Sequence, residues 1–271
     1  MKIAFVGCGA AGRPLGIAWK RAGHSLGAVV CRRSAADAVR AMGGGGAGGD
    51  LGEADVVVFA TPDDALESVA RAHRLRADQV AIHLSGAHPS TLLAPTGART
   101  AGLHPLRAFA QLEASLRGLP GTFCFVEGAA VEVAERLARD SGCVPVRIET
   151  GRKLLYHAGA TVASNYLITL LDWGARLLAR AGVPRERGEE ALLALMRGAL
   201  DNAQALGAPR ALTGPAARGD AALVEKHLEA LEGEERALYR ALLGATLSLA
   251  KGKGALGAAA ERALRKLAEG P

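Results

Sequence analysis

Aromatic side chains are scarce: Phe, Trp and Tyr together make up 4% of the 271 residues. Stacking platforms for single-stranded nucleic acid need several such rings, so that mode of binding is excluded. Positive charge is not concentrated either. Lys and Arg number 33 against 27 Asp and Glu, divided 16 to 14 up to residue 150 and 17 to 13 beyond it. Neither half is a basic arm, and no nucleic-acid partner is expected. The four cysteines, Cys8, Cys31, Cys124 and Cys143, form no C-x-x-C pair. Three of them sit in apolar, strand-like runs where a thiol behaves as a small hydrophobe, which suits a reducing cytoplasm. His73, His83, His88 and His227 lack ligand spacing, so no metal site is expected. A long apolar span is also missing. The uncharged stretch Leu154–Leu171 contains His157, Ser164 and Asn165, and reads as a buried central helix, not a membrane segment. The opening residues Met1–Val6 are too short an apolar run for a signal peptide.

What is present is globular: 49% hydrophobic and 22% charged residues. Up to about Glu149, β-rich runs alternate with helical stretches. The strands are read at Lys2–Val6, Leu26–Cys31, Asp55–Ala60, Gln79–Leu84, Thr100–Leu103, Thr122–Val126 and Val144–Ile148. Helices fit at Ala11–Ala22, Ala35–Met42, Asp63–His73 and Ala129–Ser141. Continuous apolar strands without alternation mark a parallel sheet covered on both faces, and the βαβ order specifies an α/β doubly wound fold. The glycine run Gly43–Gly49 reads as a slack loop. After Gly151 the strand signal stops, and Ala/Leu/Arg/Glu-rich helices follow at about 153–181, 185–206, 220–231, 234–250 and 255–268. The expected domains are therefore residues 1–150, α/β, and 151–271, all-α. One helical layer cannot easily hide so much Ala and Leu, which predicts a homodimer through residues 151–271.

Gly7-Cys8-Gly9-Ala10-Ala11-Gly12 is G-x-G-x-x-G between a strand and a helix. Gly7 permits the turn, Gly9 lets backbone approach a pyrophosphate, and Gly12 lets the helix pack on the strand. The N–H groups from Gly9 to Gly12, with the helix dipole, favour phosphate. An NAD site usually places an acid at the end of the second strand. Here that position reads Cys31-Arg32-Arg33-Ser34, and two guanidinium groups with a hydroxyl suit the 2′-phosphate of NADP. Thr61-Pro62 follows the next strand and is expected beside the cofactor, with Thr61 also placed to cap the helix opened by Pro62. Ser85-Gly86 is a similar edge loop.

Candidates for chemistry are His104, read as following a strand, and Lys153 with His157, four apart on one helix face. Ser164 falls on the stripe of Lys153, and Asn165 stands about 80° round from His157 at roughly 100° per residue. Polar groups on an apolar helix either bond to one another and to backbone, or line a substrate cleft between the domains. Arg218, in Thr213-Gly214-Pro215-Ala216-Ala217-Arg218-Gly219-Asp220, is placed to clamp a substrate carboxylate or simply to sit in a turn capped by Asp220.

Together, Gly7–Gly12, Ala60-Thr61-Pro62-Asp63, Leu103-His104-Pro105-Leu106, Lys153–His157 with Ser164-Asn165, and Thr213–Asp220 resemble a bacterial family of Rossmann-like candidate NADP oxidoreductases. That family carries an all-helical C-terminal domain of unknown function, and the resemblance spans essentially the whole chain. More distantly the chain is similar to pyrroline-5-carboxylate, ketopantoate and F420-dependent NADP reductases, and to 6-phosphogluconate and 3-hydroxyacid dehydrogenases. The resemblance implies a Rossmann domain followed by an all-α domain of the 6-phosphogluconate-dehydrogenase-like type, contributing to the active site and a dimer interface. It departs from the hydroxyacid dehydrogenases in lacking their Lys-x-x-x-Asn pair: His157 follows Lys153 at that spacing, and Thr161 precedes Asn165. The expected function is NADP-dependent hydride transfer to or from a small carbonyl, imine or hydroxy substrate. The alternative is an NADP-binding sensor or partner-binding protein without turnover.

Overall fold

Valine, isoleucine and phenylalanine in runs of four or five residues build the centre of the first half. β1 (Lys2–Val6), β4 (Val56–Phe59) and β5 (Val80–His83) are buried almost throughout. The computed structural model describes residues 1–32, 34–109, 111–252 and 256–270. Its remaining strands are β2 (Ser25–Val30), β3 (Gly46–Ala47), β6 (Arg99–Pro105), β7 (Phe123–Gly128) and β8 (Val144–Arg147). They form one eight-stranded sheet in the order β3-β2-β1-β4-β5-β6-β7-β8. All neighbouring strands are parallel except β6 and β7.

The strand period of two divides the core. Ile3 and Phe5 of β1 point to one face, with Leu15, Trp19, Val58, Ile82 and Leu137. Ala4 and Val6 point to the other, with Val57, Phe59, Leu66 and Leu93. The first face is covered by α1 (Gly12–Arg21), α2 (Ala35–Met42) and, beyond α4 (Leu112–Arg117), by α5 (Val131–Asp140); α3 (Asp63–Ala72) covers the second. Trp19 ties α1 to α5 by donating its indole N–H to the Leu137 carbonyl at 2.7 Å. Strand order reverses between β1 and β4, so the carboxyl ends of these two strands bound a topological switch point, where such sheets take ligands.

Two sequence expectations are corrected. His104 and Pro105 are the last residues of β6; they do not follow it. Pro105, without an N–H, is tolerated because β5 pairs β6 only as far as Gly102, which leaves the end of β6 an open edge on that side. The Gly43–Gly49 run is not a plain loop, since Gly46–Ala47 adds the short edge strand β3.

The helical half comprises α6 (Lys153–Arg180), α7 (Arg185–Leu206), α8 (Ala208–Ala211), α9 (Pro215–Arg218), α10 (Ala221–Ala230), α11 (Gly233–Lys251) and α12 (Ala258–Glu269). Asp220 caps α10, its carboxylate accepting from the Leu223 N–H at 3.1 Å. Val224, Leu228, Leu243, Leu247 and Leu264 form the core there. By contact the chain resolves into two compact units, Met1–Tyr166 and Leu167–Pro271. The first unit thus contains the opening half of α6. None of the described helices is long and apolar enough to cross a membrane.

Candidate functional site

The turn between β1 and α1 is held by backbone. The Gly7 N–H donates to the Val30 carbonyl at 2.7 Å, and Ala60 donates to the Val6 carbonyl at 2.9 Å. Gly7 has φ +78°, and a Cβ built on it would lie 2.7 Å from the Ala60 oxygen. A Cβ on Gly12 would lie 2.9 Å from that of Ala60, so α1 runs as close to β4 as its glycine allows. Gly9 is different. Its nearest obstacle to a Cβ is 3.6 Å away, and it is exposed together with Ala10. Two of the three glycines close the fold, and the third leaves backbone open.

Two cavities meet at that open backbone. The larger, about 700 Å³, is lined by Gly7–Gly9, Val30, Cys31, Thr61 and Pro62, with Arg13 and Arg32 among its walls. The smaller, about 270 Å³, runs from Gly9–Gly12 past Thr61, Pro62 and Asp63 to Leu84 and Ser85. Thr61 Oγ1 is buried between them and has no hydrogen-bond partner among the described residues. It does not cap α3 as the sequence suggested. Pro62, in extended conformation (ψ 150°), occupies the cap position and α3 begins at Asp63, which puts Thr61 one residue too early. Two linked cavities at a glycine loop, with an unpartnered buried hydroxyl in the shared wall, fit a dinucleotide better than a mononucleotide.

At the outer end, Arg32 is exposed and forms no ion pair among the described residues; Arg33 lies outside them. Ser34 is not available in the way the sequence suggested. At φ +41° it caps α2: its Oγ accepts from the Asp37 N–H at 3.2 Å and its O–H bonds the Asp37 carboxylate. That bond, then Arg40, holds the Asp37 carboxyl below the usual carboxylate range.

At the inner end the Ser85–Gly86 loop is built over buried polar groups. Ser85 Oγ accepts from the N–H groups of Ala87 and His88 at 3.2 and 3.1 Å. Its carbonyl accepts from Lys153 Nζ at 2.7 Å. Lys153 is 2% exposed and its ammonium lies 3.7 Å from Glu127 Oε1. Glu127 in turn accepts from the Ser90 N–H and hydroxyl, both at 2.8 Å. Burial pulls the Lys153 pKa down to about 8 against the opposing pull of Glu127. The lysine that the sequence placed in a cleft therefore faces inward. Its side chain runs back toward the helix N-terminus into the sheet, where it braces the loop.

His104 and His157 come together at Gly86. A Cβ there would sit 2.9 Å from His104 Nε2 and 3.0 Å from His157 Cδ2. His104 Nδ1 lies 2.6 Å from Tyr156 Oη, and Tyr156 is packed on Phe125 with ring centroids 4.4 Å apart. Burial, then the charges of Lys153 and His157, lowers the His104 pKa to about 4, so its imidazole is neutral at pH 7. Burial also raises the Tyr156 phenol above its ordinary value. Ser164 and Asn165 stand on exposed turns of α6: Ser164 Oγ donates to the Ala160 carbonyl at 2.7 Å and lies 2.9 Å from Asn165 Oδ1. Ser164 thus bonds to backbone and to its neighbour. Arg218 ends α9, exposed, in the second unit. No described His, Cys, Asp and Glu side chains group as metal ligands.

Three residues were missed. Glu127 is the lone acid of the strand Phe-Cys-Phe-Val-Glu-Gly, and such an acid asks for a buried partner. Tyr156 gives no periodic signal, since only the pairing of His104 with Phe125 across β6 and β7 brings it to the histidine. Arg13 was readable as a cation in the first turn of α1, where the helix dipole disfavours one.

Residues 122–246 match a family described as a domain of unknown function, DUF2520. No curated protein matches the chain in sequence. Among solved structures, protein TM1727 from Thermotoga maritima is 26% identical with a TM-score of 0.79, over 93% of this chain and 99% of that one. A Bacteroides fragilis protein, BF3122, named as a candidate NADP oxidoreductase, is 18% identical with a TM-score of 0.68, over 92% and 98%. The 1-pyrroline-5-carboxylate reductase of Streptococcus pyogenes is 15% identical with a TM-score of 0.61, over 99% and 98%. The chain therefore has the Rossmann-like sheet with a helical C-terminal part that its motifs implied, and carries the DUF2520 match across the passage from one to the other.

Proposed function

We propose that the chain is an NADP(H)-dependent oxidoreductase acting on a small carbonyl, imine or hydroxy compound. The observation that carries the proposal is the pair of cavities meeting at Gly9, one walled by arginines and the other ending at Ser85, with His104 and His157 on the far side of Gly86. A bound nicotinamide would supply the carbon that gives or takes hydride. The backbone from Gly9 to Gly12, at the positive end of α1, would hold the pyrophosphate, and Arg32 the 2′-phosphate. Thr61 and Pro62 would form the shared wall and Ser85 the inner limit. The fold shared with a 1-pyrroline-5-carboxylate reductase and a candidate NADP oxidoreductase supports the same class of chemistry.

His104 is the hydrogen-bond donor to the substrate in this proposal. Tyr156, a neutral phenol, donates to Nδ1, which leaves the proton of the neutral imidazole on Nε2, the edge beside Gly86. A neutral N–H polarises a carbonyl oxygen or imine nitrogen without bringing full charge to a half-buried position. His157, exposed at the rim, exchanges the proton with solvent. Lys153 positions the Ser85–Gly86 loop and does not reach substrate.

The same proposal includes a homodimer. Leu154, Leu155, Val162 and Tyr166 of α6 are 74, 70, 59 and 56% exposed, an apolar surface of the kind that a second copy covers. The buried thiols of Cys8, Cys124 and Cys143 are consistent with work in a reducing cytoplasm. NADPH oxidation across keto acids, imines and aldehydes tests the enzyme. Binding of NADPH with no turnover of any class would favour the non-catalytic sensor, which the inward turn of Lys153 supports.

A further inference from the structure

Arg13 stands in the first turn of α1, half-buried, on the wall of the larger cavity that also bears Arg32. Its Nε donates to the Cys8 carbonyl at 3.1 Å. That bond, with a side-chain hydrogen bond to the Cys8 thiol, fixes the guanidinium against the glycine loop, and no carboxylate among the described residues forms an ion pair with it. The first turn of α1 holds no acid, so a cation there meets the unfavourable end of the helix dipole with no ion pair among the described residues to offset it. Asp37, on the neighbouring helix, is bound to Ser34 and Arg40 and feels Arg13 only as a lesser influence. A half-buried arginine without a carboxylate at a helix N-terminus is an unfavourable placement in the free protein. A dianion in the cavity would reverse it.

The hydroxyl of Ser34, which the sequence offered to the 2′-phosphate, is occupied in capping α2. A phosphate monoester carries close to two negative charges at neutral pH, and the cations that the described residues bring to this cavity are Arg13 and Arg32. We infer that Arg13 is a second, specificity-determining contact for the adenosine 2′-phosphate, reaching it from the cavity wall it shares with Arg32, so that preference for NADPH over NADH depends on Arg13 and Arg32 together. This rests on the cofactor reading proposed above.

The test is the affinity of the full chain for NADPH and for NADH, measured by calorimetry on wild type, Arg13→Gln, Arg13→Lys and Arg32→Gln. Glutamine keeps an N–H for the Cys8 carbonyl while removing the charge, and NADH binding reports whether the loop is intact. The expected result is an NADPH affinity about tenfold weaker in Arg13→Gln with NADH affinity unchanged within about twofold, most of the loss being recovered in Arg13→Lys. An equal fall for both dinucleotides would place Arg13 on the pyrophosphate or the loop and overturn the inference. So would an unchanged NADPH-to-NADH ratio. A wild type that binds both dinucleotides equally would overturn the NADP reading itself, and the inference with it. A wild type that prefers NADPH beside an Arg13→Gln variant with the same preference would overturn only the role of Arg13.

Discussion

Glu127→Gln removes the carboxylate paired with the buried Lys153 ammonium while keeping the size and one acceptor of the side chain. In the native chain the Lys153 pKa stands at about 8 instead of 10.5, which corresponds to about 3 kcal/mol of bias against the charged form even with Glu127 in place. Breaking a buried pair from one side typically costs about 3–5 kcal/mol. The substituted amide would still accept from the Ser90 N–H, so the lower end of that range is expected at pH 7. The pH dependence distinguishes this cause from simple loss of packing. A lysine whose folded pKa is depressed binds fewer protons in the folded chain than in the unfolded one between the two values. Stability therefore rises with pH across that window, from about 8 to 10.5 in wild type. In the variant the folded pKa falls further and the window opens below 8. The deficit relative to wild type should then shrink by at least about 1 kcal/mol between pH 7 and about pH 9.5, where both proteins hold a neutral Lys153. Urea unfolding at the two pH values, followed by circular dichroism, measures it. A deficit of equal size at both, or none at either, would refute an electrostatic coupling of Glu127 to Lys153.

His157→Ala should lower turnover by about 10²–10⁴ with little change in melting temperature, since the ring is exposed; a less stable protein with full specific activity would make it structural. On the acid side, His104 has a folded pKa of about 4 against an ordinary 6.5, so stability present above pH 6.5 should be lost as pH falls toward 4, by up to about 3 kcal/mol. His104→Asn should flatten that part of the urea-midpoint profile. Leu155→Glu places a charge in the exposed apolar face of α6 and should convert a dimer to monomer by light scattering at micromolar concentration; a wild type already monomeric would remove the dimer from the proposal.

The glycine motif was legible because each of its constraints is local: a positive φ at Gly7 and close approach at Gly12 leave few other residues possible. The central strands were legible for a similar reason, since Val-Val-Val-Phe admits no solvent face. The inner end of the site was not. Lys153, His157 and Ser164 share one helical stripe by arithmetic, yet only the first is buried, because the sheet and the Ser85 loop cover the first turn of α6 and not the turns after it. Periodicity reports a direction around the helix and says nothing of where cover ends. The reversal of β7 against β6, which carries Phe125 to His104 and hence Tyr156 to its ring, is a matter of pairing, and no strand-length pattern encodes it. Ser34 fits a phosphate ligand and a helix cap equally well by residue type. Asp37, three residues on, was the sign that the cap would win.

The central claim is that a nicotinamide dinucleotide lies across the two cavities at Gly9. Calorimetric titration of the wild-type chain with NADPH, repeated on Gly9→Val, tests it most directly. A side chain at Gly9 has room within the fold, its Cβ lying 3.6 Å from the nearest atom, but stands where the pyrophosphate would approach the backbone. The predicted result is saturable binding at one NADPH per chain in wild type, and loss of that binding in a Gly9→Val protein that melts near the wild-type temperature. Undiminished NADPH binding by Gly9→Val, or no binding by wild type, would contradict it.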